Sequence, residues 1–164
     1  MKKITFILFA LIAGTTFAQD NATATVNAEI VTPIIITSDG SALNFGSIVA
    51  AEGGKVRVNT AGTRTFSNTN MEVITATTTT AATFDVTAAD TYSYSISIPS
   101  IDLIDVDSNL MPVSFTQDLE GETDGTATGS GVPQTLLVGG LLTVAAAQPA
   151  NKYEGIVKVT VVYE

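Results

Sequence analysis

Residues 92–99 read Tyr-Ser-Tyr-Ser-Ile-Ser-Ile-Pro, a strict alternation of large and small side chains that ends at a proline. Successive side chains of a β-strand point to opposite faces, so both tyrosines and both isoleucines lie on one face and the serines on the other. The same period of two recurs at residues 22–30, 111–115 and 153–163. Beyond the first 18 residues, no window shows the apolar spacing of an amphipathic helix. The pattern therefore predicts an all-β chain.

The spacing of these segments predicts how the strands are arranged. Short strands separated by turn residues are typical of a sandwich or barrel, and clean alternation favours antiparallel sheets with one face toward solvent. We predict an antiparallel, immunoglobulin-like β-sandwich of about seven to nine strands, formed by a single domain over residues 19–164. A domain of this length can bury enough surface to fold without disulfides.

The N-terminus has the features of a secretory signal peptide. Lys2 and Lys3 precede an apolar run over residues 4–13, and Ala18 ends a small-residue cleavage pattern. The run has about ten residues, whereas a membrane span needs about 20. We therefore predict a signal peptide over residues 1–18 and a mature chain without a membrane span. The mature chain is expected in the periplasm, at the cell surface or outside the cell.

The composition excludes several classes of function. The 164 residues include no His, no Cys and no Trp, and 16 acidic residues outnumber 7 basic ones, giving a formal charge of −9. Without His or Cys there is no His general base, cysteine nucleophile, zinc finger or disulfide. An acidic chain is also a poor ligand for nucleic acid, whose binding needs a basic surface. We predict no enzyme, no catalytic, cofactor-binding or metal-site residues, and no cofactor.

Two acidic loops, residues 102–109 and 118–124, leave calcium binding open. Asp105, Asp107 and Asn109 stand at alternate positions, as oxygen ligands do at the start of a calcium loop. The rest of the EF-hand pattern is missing, since Leu110 stands where the glycine belongs and Thr116 where the glutamate belongs. The other interpretation is a solvated loop between strands.

Six segments of the chain carry a resemblance to a known family. The segments are residues 28–34 (AEIVTPI), 43–46 (LNFG), 82–86 (ATFDV), 94–96 (YSI), 138–142 (VGGLL) and 153–163 (YEGIVKVTVVY). In these segments the chain resembles a bacterial secreted family, domain of unknown function number 4402, which is itself reminiscent of spore coat protein U and of chaperone–usher pilins. The resemblance implies an exported, immunoglobulin-like surface or appendage protein, with no activity assigned.

Residues 22–30 admit two interpretations. Their alternation suits the first strand of their own domain, which is the prediction we favour. It equally suits a strand that completes a neighbour's sheet by β-strand addition, as in pilins. Tyr163, one residue before the end, stands where pilins carry an aromatic residue. The absence of a disulfide, and of a glycine within residues 22–30, departs from the pilin pattern.

Gly139 and Gly140 interrupt the apolar stretch at residues 137–144. Glycines inside a strand mark either a bulge or bend, or the close approach of another backbone such as a partner strand. We favour the bulge.

Two functions follow from these observations. The first is an exported, non-enzymatic surface or appendage-type protein with a structural or adhesive role. It would assemble with itself or with other envelope proteins through edge strands. The alternative is a monomeric secreted binding module that recognises a ligand through loops such as residues 101–109 and 118–131.

Overall fold

The computed structural model describes residues 20–73, 77–119 and 125–164. Ten strands and one short 3-10 turn at Thr69–Met71 make up the regular structure of these residues. The strands are β1 (Ile35–Ser38), β2 (Gly54–Val58), β3 (Arg64–Phe66), β4 (Ala82–Thr87), β5 (Ser93–Ser97), β6 (Ile101–Ile104), β7 (Leu110–Leu119), β8 (Thr126–Thr128), β9 (Gln134–Val144) and β10 (Thr160–Tyr163).

The strands form two antiparallel sheets, one of seven strands and one of three. The larger sheet is built around β9. Along one edge, β9 pairs with β4 through its first half and with β2 through its second half. Along its other edge it pairs with β7. β1 lies outside β4, β3 beside β2 and β6 beside β7, and the smaller sheet has the order β10-β5-β8.

The core consists of two clusters of buried side chains. The first joins the two sheets, because it contains residues from β4 and β9 as well as from β5 and β8. Its members are Ala82, Val86, Ala88, Tyr94, Ile96, Leu119, Ala127, Leu136 and Val138. The second lies on the larger sheet and is covered mainly by chain outside the strands. Its members are Phe45, Val56, Val58, Met71, Met111, Val113, Leu142 and Val144.

The predicted fold class is confirmed. The chain is an all-β, antiparallel protein, with ten strands among the described residues where about seven to nine were expected. The segment at residues 92–99 forms β5, and its apolar face is buried at Tyr94 and Ile96.

The strand predicted for residues 22–30 is wrong. Residues 20–30 contain no strand and are exposed throughout. Alternation specifies the two faces of a strand, but a strand also needs a neighbouring edge to pair its backbone groups. No described residue pairs with residues 22–30.

The closing strand, expected over residues 153–163, is also shorter than predicted. β10 contains only Thr160–Tyr163, and Glu154 instead forms an isolated pair with Ile104 at the edge of the larger sheet. The chain between these two points crosses from one sheet to the other, so it is not part of a ladder.

The bulge predicted at Gly139 and Gly140 is absent. Both glycines lie in continuous register with β7, where Thr116 pairs with Gly139 and Phe115 with Gly140. They instead mark positions where other parts of the chain come close to the backbone of β9. A Cβ at Gly139 would lie 2.5 Å from the carbonyl oxygen of Val58. The backbone that comes close belongs to the same chain.

Val31–Glu164 forms one compact unit, and residues 20–30 belong to a different one. The predicted signal peptide, residues 1–18, lies outside the described residues. No helix in the described part of the chain has the length and hydropathy needed to cross a membrane.

Candidate functional site

A large apolar cleft, of about 1260 Å³, opens on the larger sheet. Its floor is formed by side chains of β6, β7 and β9. They are Ile101, Leu103, Met111, Val113, Phe115, Leu142 and Val144. Two stretches of chain outside the strands border it. We call residues 40–51 the first wall and residues 147–157 the second wall.

Long-range hydrogen bonds position the first wall. Asn44 and Thr80 exchange backbone hydrogen bonds of 2.9 and 3.2 Å, and the Val49 amide donates to the Met71 carbonyl at 2.9 Å. Since Thr80 shortly precedes β4, the first wall continues along the side of β4 on which β1 pairs.

Arg64 also holds the first wall in place. Its Nη1 donates to the carbonyl oxygens of Phe45 at 2.8 Å and Ser47 at 3.0 Å, and the guanidinium lies 4.7 Å from the centre of the Phe66 ring. A planar guanidinium suits both tasks, since it presents several donors and stacks on aromatic faces.

Gly140 allows the first wall to pack closely on the floor. A Cβ at this position would lie 2.9 Å from Leu43 Cδ2 and 3.0 Å from Phe45 Cζ. The absence of a side chain on β9 therefore leaves room for two large side chains of the first wall above the sheet.

The second wall pairs with β6, at the edge of the larger sheet opposite to the first wall. Glu154 and Ile104 of β6 exchange backbone hydrogen bonds of 2.9 and 3.1 Å. At Gly155, an added Cβ would lie 2.8 Å from Leu103 Cδ2 and 3.1 Å from Ile101 Cδ1. The wall therefore rests directly on the side chains of β6.

Beyond Glu154 the chain loses its backbone partners. Residues 155–159 make no hydrogen bond to any other residue that the structure describes, and Ile156 is 88% exposed. This stretch leads directly into β10, which is an edge strand of the smaller sheet. It leaves a row of unpaired backbone groups beside an apolar surface, which is the arrangement that favours pairing with another strand.

The cleft has few charged groups. Lys152 and Glu154 are the only charged residues among its described lining residues, and they form an ion pair of 2.6 Å with both side chains largely exposed. The floor is apolar, so the cleft suits an apolar occupant with no buried charge.

The loop that suggested calcium binding is closed by its own hydrogen bonds. The carboxylate of Asp105, buried at 7% exposure, accepts from the amides of Asp107 at 2.9 Å and Asn109 at 2.7 Å. It also accepts from the side-chain amides of Asn109 at 2.8 Å and Asn151 at 3.2 Å. Among the described residues, no group of three or more metal-binding side chains occurs.

These hydrogen bonds set the charge state of Asp105. Burial raises the pKa of its carboxyl, but the hydrogen bonds from Asn109, Asp107 and Asn151 together outweigh burial and hold the pKa below its ordinary value. Since Asn151 belongs to the second wall, the Asp105 carboxylate ties the β6–β7 loop to that wall.

The second acidic loop lies mostly outside the described residues, which omit residues 120–124. Asp118, its first member, is in β7 and accepts a hydrogen bond of 3.4 Å from the hydroxyl of Thr60.

Tyr163 does not line the cleft. It contacts the start of the unit Val31–Glu164. Its hydroxyl donates to the carbonyl oxygen of Thr32 at 2.9 Å and accepts from the amide of Ala89 at 2.7 Å. Its ring meets that of Tyr92 edge-on, with centres 6.0 Å apart. Tyr163 therefore anchors the chain two residues after the exposed segment ends.

Sequence reasoning missed the cleft as a whole. The first wall has no period of two or of 3.6, and its place depends on partners at least 17 residues away in the chain, such as Arg64 and Thr80. The glycine pair was the one available signal, and we assigned it to a bulge.

Comparison with known proteins places the chain in a family. No curated protein and no solved structure matches it. The sequence model of one family, described as "Domain of unknown function (DUF4402)", matches residues 34–163, which include every strand and both walls of the cleft. The chain therefore belongs to the DUF4402 family.

Proposed function

We propose that this protein is an exported, non-enzymatic surface or appendage-type structural protein that assembles by β-strand addition at the cleft. One observation carries the proposal. An apolar cleft lies beside residues 155–159, whose backbone groups have no partner among the described residues. An added strand would satisfy both features together, because its backbone would pair with this stretch while alternate side chains would enter the cleft.

A strand fits the cleft better than a compact polar ligand does. The floor offers apolar side chains without a cluster of polar groups to orient a small molecule, and the charged pair lies at the exposed rim. An extended backbone would contribute hydrogen bonds along its length, and its apolar face would cover the half-buried floor residues Ile101, Leu103 and Phe115.

Export and the absence of catalysis rest on the sequence. Lys2, Lys3 and the apolar run that follows them are typical of a signal peptide. A chain without His or Cys lacks the usual nucleophile and base pairs. The acidic net charge of −9 argues against nucleic acid as the partner.

The alternative is a monomeric binding module. Its proposed contacts are the loops at residues 101–109 and 118–131. In the first loop, the Asp105 carboxylate is already engaged by amide donors. The stronger version of the alternative is a monomer whose cleft holds an apolar small molecule, since the cleft volume is sufficient for one.

The native mass of residues 19–164 tests the proposal. We expect size exclusion with light scattering to give a series of multiples of the single-chain mass. We also expect the amides of residues 155–159 to exchange slowly with deuterium in the multimers. A single monomeric species at all concentrations would contradict assembly and favour the binding module. Export is tested separately by N-terminal sequencing of protein from the cell envelope, which should begin at Gln19.

A further inference from the structure

We infer that the free edge of β10 pairs with the same edge of a second copy of this chain. A two-fold axis at Val161 would join two three-stranded sheets into one continuous sheet. Residues 158–164, which would form this contact, do not line the cleft. The contact is therefore separate from strand addition at the cleft.

β10 presents unpaired backbone groups along one edge. It pairs with β5, and no described strand pairs with its other edge. Val161 lies opposite Ile96, whose amide donates away from β10, to the carbonyl oxygen of Gly125 at 2.8 Å. Two opposed residues of an antiparallel pair either bond to each other or both point away. The backbone groups of Val161 therefore point to the free edge, as do those of Tyr163 two residues later.

The side chains of β10 also lack a neighbour. In β5, Tyr94 is fully buried and Ile96 is 8% exposed. Tyr163 and Val161, which lie opposite these two residues in β10, are only half-buried, and Val162 on the other face is 54% exposed. An added strand would cover these apolar side chains while it pairs the backbone, which is the usual fate of an unprotected edge.

The charges beside β10 identify a second copy as the added strand. Lys158 and Glu164 are both exposed, and they share one face of the extended chain. If β10 pairs with itself in the antiparallel sense about Val161, Lys158 of each copy lies opposite Glu164 of the other. Opposite charges directly across two strands stabilise their pairing. Because the axis repeats the contact, both ends of the paired edge gain such an ion pair.

Other registers match the charges less well. An axis at Lys158 would place the two lysines opposite each other, which is unfavourable. An axis at Ile156 would place Lys158 opposite Glu154, but Glu154 already forms an ion pair with Lys152 and exchanges backbone hydrogen bonds with β6. The axis at Val161 uses two charged side chains that form no other ion pair in the described part of the chain.

This contact uses the same surface on both copies. An interface of that kind closes with two subunits, whereas unlike surfaces would extend into an open chain. The expected product is therefore a two-fold dimer in which neither cleft takes part.

Cysteine cross-linking of residues 19–164 tests the position of the axis, since the chain has no Cys of its own. In the Val161→Cys variant the two thiols lie on residues directly opposite each other, about 5.5 Å apart at Cα, which a disulfide can span. In the Val162→Cys variant each thiol lies opposite Thr160 instead. We expect Val161→Cys to form the linked dimer at least about tenfold faster under mild oxidation, although Val162 is the more exposed residue. Equal rates would overturn the inference.

Charge reversal in the Val161→Cys background tests the register. Lys158→Glu would place like charges opposite each other at both ends of the edge, so we expect cross-linking to slow at least about fivefold. Adding Glu164→Lys restores opposite charges and should return the rate to within about twofold. Both side chains are exposed, so circular dichroism should be unchanged. A single reversal without effect, or a double variant that stays slow, would overturn the pairing about Val161.

The test also separates this contact from the proposed function, because none of the substituted residues lines the cleft. Wild-type multimers together with slow cross-linking of Val161→Cys would overturn the β10 contact and leave strand addition at the cleft standing. Fast, charge-dependent cross-linking in a protein that forms dimers but no larger species would support the β10 contact and contradict strand addition at the cleft.

Discussion

The neighbouring glycines of β9 allow a sharp test of the packing. A Cβ at Gly139 would lie 2.5 Å from the oxygen of Val58, 2.8 Å from the carbonyl carbon of Asn59 and 3.0 Å from the nitrogen of Thr60. All three are backbone atoms. At Gly140 the nearest atoms are instead the ends of the Leu43 and Phe45 side chains, at 2.9 and 3.0 Å.

The two alanine variants should therefore differ in stability. Overpacking against a rigid neighbour costs up to about 3 kcal/mol. Replacing glycine by alanine also stabilises the protein by about 0.4–1 kcal/mol, because it restricts the conformations of the unfolded chain. We expect Gly139→Ala to lower the free energy of unfolding by about 2 kcal/mol. Gly140→Ala should stay within about 1 kcal/mol of the wild type, because flexible side-chain ends can move aside.

Thermal unfolding of residues 19–164, followed by circular dichroism at one protein concentration, measures this difference. For a compact unit of this size, about 4 °C of Tm corresponds to 1 kcal/mol, so Gly139→Ala should melt about 8 °C lower. Urea unfolding gives the free energies independently. The reasoning would be refuted if Gly140→Ala were as destabilising as Gly139→Ala. The loss of stability would then not depend on whether the added methyl group meets backbone or side-chain atoms.

Three further predictions concern single side chains. Tyr163→Phe removes both hydrogen bonds of the hydroxyl and should lower the free energy of unfolding by about 1–2 kcal/mol; an unchanged urea midpoint would contradict this. Arg64→Met removes two hydrogen bonds to the first wall, so the amides of residues 43–49 should exchange faster with deuterium, while those of β5 should not. Asp105 has a lowered pKa, so its contribution to stability is present above the ordinary aspartate pKa of about 3.9 and disappears as pH falls through its lower folded value. Asp105→Asn should therefore lose less Tm between pH 5 and pH 2 than the wild type, and parallel pH profiles would count against the proposed hydrogen bonding.

Sequence periodicity was reliable where a strand had neighbours on both sides. The alternation at residues 92–99 predicts β5, which lies between β10 and β8. The alternation at residues 111–115 predicts part of β7, which lies between β6 and β9. In both cases the burial of alternate side chains and the pairing of the backbone favour the same conformation.

The same periodicity failed where no neighbour exists. Residues 22–30 alternate as regularly as β5, yet they contain no strand. The stretch at residues 155–159 alternates as well, and only the following four residues form β10. Alternation records which side chains share a face, and it does not record whether another edge is available.

The acidic loop shows a similar limit for site chemistry. The spacing of Asp105, Asp107 and Asn109 resembles that of calcium ligands. In the structure the central carboxylate is engaged by amides of the loop itself and by Asn151, which is 46 residues away. Whether a carboxylate is free for a cation depends on such distant donors, which local spacing does not reveal.

The sequence alone established the fold class, the antiparallel character and membership of the family, because alternation and turn residues act over a few neighbouring positions. Only the tertiary structure decided where the glycines of β9 bring chain segments close together, and that the larger sheet carries an apolar cleft. Only it also showed that the backbone groups of residues 22–30 and 155–159 have no hydrogen-bond partner in the described part of the chain. These features depend on contacts between residues far apart in the sequence, and on whether a neighbouring strand is present to pair with a segment.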